Sequence, residues 1–184
     1  MKKLKPYKGV CEIFSTYWNS YGGIKGLIGS FYLHLSVIVS IACYPIWSPQ
    51  NGDRWFELPI AIIPNLLGFT LGGYAILLAF GNDDFMKSIA GPEEDGTASP
   101  YIEVNAAFIH FILIQTLSLF ISLVASAWKF ENFLIRFVCF MIFIYALASL
   151  VAAAMAIFRV ANWFDTHIGN SQENDNVKDG KSEE

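Results

Sequence analysis

The sequence predicts an all-α integral membrane protein, a four-transmembrane-helix bundle with an N-terminal amphipathic interfacial helix. Three observations carry that prediction. The chain of 184 residues is 54% hydrophobic, 16% aromatic and only 15% charged, which is more apolar surface than a soluble domain of this length buries. Its apolar residues gather in four stretches, 27–47, 58–80, 104–127 and 133–158, each at least the roughly 20 residues that cross about 30 Å of hydrocarbon. None carries the wide polar face that a core helix of a soluble protein turns to water. The third observation is the placement of Lys and Arg. With the amino terminus inside, that side holds Lys2, Lys3, Lys5, Lys8, Lys25, Lys87, Arg159, Lys178 and Lys181, and only Arg54, Lys129 and Arg136 lie toward the other.

That asymmetry predicts two cytoplasmic termini. The expected location is therefore that of a multi-pass protein of a bacterial inner (plasma) membrane. Three parts follow in order: a cytoplasmic amphipathic segment 1–26, a transmembrane domain 27–158, and a cytoplasmic, largely disordered acidic tail 159–184. Tryptophans fit these limits, with Trp47, Trp55 and Trp128 at the outer rim and Trp18 and Trp163 near the inner one, the depth at which indole is enriched.

In the first segment, Val10, Ile13, Phe14, Tyr17, Trp18 and Tyr21 recur at helical steps of three and four. They form one stripe, opposite Lys8, Glu12, Ser15, Thr16 and Asn19, so the segment should lie on the inner membrane surface or against a partner. Gly22 and Gly23 supply its stop. The 26 residues before the first span, with Glu12 among them, are unlike a secretory leader, so that span is expected to be retained.

The second span combines an apolar run with Pro64, Asn65, Gly68, Gly72 and Gly73, residues that weaken a helix. Steps of four and three through Ala61, Asn65, Gly68, Gly72, Ala75 and Ala79 trace one ridge of small or polar side chains. In lipid, close backbone approach rather than the hydrophobic effect draws helices together, and such a ridge permits it. The ridge is thus expected to be a helix-packing seam. Ser149, Ala153 and Ala156 continue a similar seam in the fourth span, and Gln115, Ser118, Ser122 and Ala125 one in the third. Pro64 removes a backbone donor and should bend its helix.

Polar groups inside the membrane are the first place to look for function. His34 and His110 both fall about 10 Å from the inner boundary at about 1.5 Å per residue, and with Gln115 they form a candidate intramembrane polar site. A proton relay would use such a histidine pair; two neutral core histidines bonded to hydroxyls account for it as well. Asn65 is expected to bond a hydroxyl of another span.

The inner connection, 81–103, holds Asp83, Asp84, Glu93, Glu94 and Asp95 against a lone Lys87. Anionic lipid repels such a loop, so it projects into the cytoplasm as a candidate dock for a protein partner. Cys11, Cys43 and Cys139 match no metal spacing, and no phosphate loop, nucleophile triad or zinc motif is present. No cofactor, metal or enzymatic activity is expected. A net charge of -4 also argues against direct nucleic-acid binding. Two functional classes remain: a self-associating scaffold or effector, expected to be a homo-oligomer in the lipid bilayer and coupled to a cytoplasmic protein through 81–103, or a small ion or proton channel or transporter subunit with His34 and His110 in its pathway.

Overall fold

A computed structural model describes residues 5–50, 54–79, 83–91 and 98–181. Among them the elements are all helical: α1 Lys5–Ser20, α2 Gly23–Ile28, α3 Phe31–Ala42, α4 Tyr44–Trp47, α5 Glu57–Ala79, α6 Asp83–Ile89, α7 Pro100–Trp128 and α8 Phe133–Lys181. Three helices are long and apolar enough to cross a membrane, namely α5, α7 and the Phe133–Gly169 part of α8.

The stretch 27–47 is broken into pieces rather than drawn out as one helix. Gly22 and Gly23 take φ of 94° and 59°, a region open to glycine at no steric cost, and they turn the chain between α1 and α2. Gly29 and Ser30 separate α2 from α3, and Pro45 starts the single turn of α4, where its missing N–H removes no helical hydrogen bond. What remains apolar and unbroken is α3, 12 residues long.

The hairpin of α7 and α8 shows why a loop as short as "KFEN" suffices. Lys129 takes a left-handed φ of 45° and its N–H bonds the carbonyl of Ala125, which closes α7. Asn132 then accepts from the N–H of Ile135 at 3.1 Å, capping the start of α8. At its other end α7 opens on Ser99, whose hydroxyl accepts from the N–H of Ile102, followed by Pro100.

α7 and α8 form the centre of the molecule. α5 packs on both, α3 lies along α8, and α1 rests against α7. The core divides into one cluster around Trp47, Trp55, Ile63 and Phe140, toward the turn between α7 and α8, and another around Phe85, Val104, Phe108 and Ala153, toward the opposite end.

Three findings depart from the sequence reading. First, α8 continues past residue 158, the end of the apolar run, to Lys181. Val160, Trp163 and Phe164 extend its buried face, and Phe85 of α6, 1% exposed, stands edge-on to the rings of Phe164 and His167 at 5.1 and 5.8 Å. Second, Trp47 and Trp55 are buried, at 2% and 3% exposure, whereas Trp128 is exposed. α4 folds Trp47 back so that its indole N–H donates to the carbonyl of Ser40 at 2.7 Å while its ring meets Phe133 and Phe137 of α8. Third, the α5 glycine in close contact with another helix is Gly73, where an added Cβ would lie 3.3 Å from Ile157. Gly68 and Gly72 have nothing within 4 Å of that position. The inward face of α5 is formed instead by Pro59, Ile63, Leu66, Thr70 and Leu77.

Candidate functional site

Among the described residues, α7 carries more of the buried polar side chains than any other helix. His110, Gln115, Ser118 and Ser122 follow one another at steps of five, three and four, and all are buried. Gln115, Ser118 and Ser122, at steps of three and four, share one stripe of the helix toward α5 and α8, whereas His110, five residues before Gln115, lies about 140° round the axis, on the side that meets α1.

His110 lies nearer the start of α7 than the other three. Its Nδ1 is 2.8 Å from the Tyr17 hydroxyl of α1, and its Nε2 is 2.9 Å from the Tyr145 hydroxyl of α8. A neutral imidazole has one donor and one acceptor nitrogen, so one phenol donates to it and the other accepts from it. The ring of Tyr21 stacks on the imidazole with centroids 3.9 Å apart, and its hydroxyl is 3.3 Å from that of Tyr145. Burial, with a further contribution from Tyr145, pushes the Tyr17 phenol up to about 12, so its neutral form makes this bond at physiological pH. The aromatic stripe expected on α1 is thus divided. Tyr17 and Tyr21 meet the bundle and Trp18 is half-buried beside them, while Val10, Ile13 and Phe14 stay exposed.

His34 takes a different partner. It is exposed, and its Nδ1 meets the carbonyl of Ser30 in its own helix at 2.8 Å. The two histidines therefore share no hydrogen bond, because His34 faces away from the side of α3 that buries Ser36 and Ser40 on α8. The missed partners of His110 were three tyrosines, two of them on an element read as a surface helix.

About five residues deeper, or roughly 7.5 Å along the axis, Gln115 joins the three long helices. Its amide nitrogen donates to Thr70 Oγ1 of α5 at 3.0 Å and to Ser149 Oγ of α8 at 2.9 Å. Each hydroxyl passes its own proton to a carbonyl in its own helix, Thr70 to Leu66 and Ser149 to Ala146. The amide oxygen of Gln115 has no partner among the described residues.

A cavity of about 310 Å³ lies beside these groups, between the start of α3, the first turns of α7 and the far end of the apolar part of α8. Tyr145 and Ser149 line it, and Glu103 and Arg159 also border it.

The predicted packing residues separate by helix. On α8, Ser149 and Ala153 are buried at 1% and Ala156 is half-buried. On α5, Ala61, Asn65, Gly68, Gly72, Ala75 and Ala79 are all exposed, so this ridge faces outward from the chain. The Asn65 side chain makes no hydrogen bond among the described residues. Of the acidic candidates, Asp83 and Asp84 begin α6, and Glu93, Glu94 and Asp95 lie outside the described residues. Among the described residues no three His, Cys, Asp or Glu side chains are grouped as a metal site requires.

Comparison with protein-family models, curated proteins and solved structures finds no match. The class defined by the fold is an all-helical protein with three membrane-length apolar helices.

The His110 layer yields a direct test. Tyr17→Phe leaves one imidazole nitrogen without its hydroxyl, a loss of about 1–3 kcal/mol for a buried polar group. Hydrogen exchange in detergent micelles should accelerate across α1 and remain slow in α7 and α8. Tyr145→Phe removes bonds to both His110 and Tyr21 and should loosen the central hairpin as well. Unchanged exchange in α1 of Tyr17→Phe would mean that α1 is held by other contacts.

Proposed function

We propose that this chain is a four-span membrane scaffold or effector that self-associates through the outward ridge of α5. The observation that carries this reading is Asn65. It lies about 12 Å into α5 at 1.5 Å per residue, is exposed on the chain's surface, and its side chain has no hydrogen-bond partner among the described residues. A carboxamide facing hydrocarbon is unfavourable unless another polar group meets it. A second copy presenting the same ridge supplies one, and Gly68 and Gly72, with open space around them, allow the two backbones to approach.

The fourth crossing in this reading is the segment of α2, α3 and α4. α3 alone is about 18 Å long, short of the hydrocarbon thickness. Support comes from its neighbours on α8: Trp47 meets Phe133 at a ring separation of 5.1 Å, while Gly26 and Phe31 share a cavity wall with Arg159. The segment thus runs beside nearly the whole apolar length of α8. With four crossings both termini share one side, and the Lys and Arg asymmetry puts that side in the cytoplasm of a bacterial inner (plasma) membrane. Residues 81–103, acidic and on the same side, are the proposed dock for a cytoplasmic protein. The exposed Val10, Ile13 and Phe14 of α1 suit the acyl boundary of that leaflet.

Reconstituted protein labelled for single-molecule photobleaching tests the α5 interface. Gly72→Leu and Asn65→Leu should convert oligomers to single copies without lowering the unfolding midpoint. Leu77→Ala, at a 7% exposed position, should instead cost about 2–5 kcal/mol of stability and leave assembly intact in the folded fraction. Oligomers that persist in both ridge variants would remove the interface.

A second reading, a proton pathway, draws support from the hydrogen-bonded series Tyr17, His110, Tyr145 and Tyr21, the last two of which border the cavity. Proteoliposomes with an imposed pH gradient test it. The reading expects proton flux that is lost in His110→Phe; the absence of flux in the parent chain, or flux that survives the substitution, removes it.

A further inference from the structure

The cavity has the length, lining and charge of a site for one phospholipid, and it stands independently of the proposed self-association. Along α8 its wall runs from Tyr145 to Arg159, about 21 Å at 1.5 Å per residue. One leaflet of hydrocarbon is about 15 Å deep, half of the bilayer core, so the cavity matches the depth of an acyl chain. Its sides are apolar, with Phe31, Val104, Ala107, Phe111, Ala152 and Met155. The end away from Arg159 carries Tyr145 and Ser149, whose hydroxyls already bond within the protein, so an alkyl chain beside them strands no polar group.

The mouth carries two charges of opposite sign. Glu103 begins α7 and Arg159 lies beyond the apolar run of α8; both are exposed, both border the cavity, and neither forms an ion pair among the described residues. A guanidinium binds phosphate through paired N–H donors. A carboxylate accepts from a primary ammonium but receives no N–H from a quaternary one.

We propose that the cavity between α3, α7 and α8 binds a phospholipid with a phosphoethanolamine headgroup, its acyl chain inside, its phosphate on Arg159 and its ammonium on Glu103. A phosphoglycerol headgroup satisfies Arg159 alone, and phosphocholine offers Glu103 no donor.

Native mass spectrometry of the full chain, titrated with dioleoyl lipids of the three headgroups, tests this. The phosphoethanolamine adduct should exceed the other two by about fivefold, the effect of one interfacial charge contact. Glu103→Gln should abolish the preference over phosphoglycerol, Arg159→Gln should weaken all three adducts, and Ala156→Leu should exclude them by filling the cavity. Equal adducts of the three lipids, or a preference that survives Glu103→Gln, overturns the assignment. Should Ala156→Leu fail to fold, the two charge variants, both at exposed positions, decide the matter alone.

Discussion

One face of α7 organises the molecule. In hydrocarbon an apolar helix gains little by exchanging lipid for another apolar helix, so association depends on close packing and on polar groups that find partners. α7 brings both. His110 reaches α1 and α8, Gln115 reaches α5 and α8, and Ala125, 0% exposed, belongs to the same core cluster as Ala146 of α8, also 0% exposed. Each polar contact contributes a modest energy, about 0.6 kcal/mol on average between membrane helices. Their greater effect is on register. A rotation of α7 by one residue, about 100°, would carry Gln115, Ser118 and Ser122 together off the face that meets α5 and α8 and break the contacts of Gln115 with Thr70 and Ser149.

That stripe also explains what the sequence disclosed and what it hid. The apolar runs of α5, α7 and α8 were legible because each is long and uninterrupted, and Gln115, Ser118 and Ser122 stood out as polar residues at helical spacing. The fragmentation of 27–47 was harder to see, since Pro45 and the pair Gly29 and Ser30 sit inside a stretch whose average hydropathy is unaffected by them. The extent of α8 was hidden by the polarity of its end, although Val160, Trp163, Phe164 and His167 repeat at helical steps and carry the face that covers Phe85.

The α5 ridge shows a different limit. A line of Ala, Asn and Gly reveals that a close neighbour is expected, but it does not say whether the neighbour belongs to the same chain. Within the chain α5 turns Ile63, Leu66, Thr70 and Leu77 inward and leaves the ridge outside. The histidines were similarly ambiguous. Equal depth made His34 and His110 look like a pair, yet depth fixes only one of the three coordinates that a contact needs. The partners of His110 came from tyrosines, whose apolar rings had counted toward a membrane stripe although their hydroxyls decide the site.

The central claim is that the α7 face holds its neighbours by specific side-chain contact rather than by general apolarity. A double-mutant cycle between Gln115 and Ser149, with Gln115→Leu, Ser149→Ala and the pair unfolded in mixed micelles, measures that contact with other losses cancelled. The account expects a coupling of about 0.5–1.7 kcal/mol, the range for hydrogen bonds between membrane helices. Strictly additive effects, with no coupling between α7 and α8 at this pair, would contradict it.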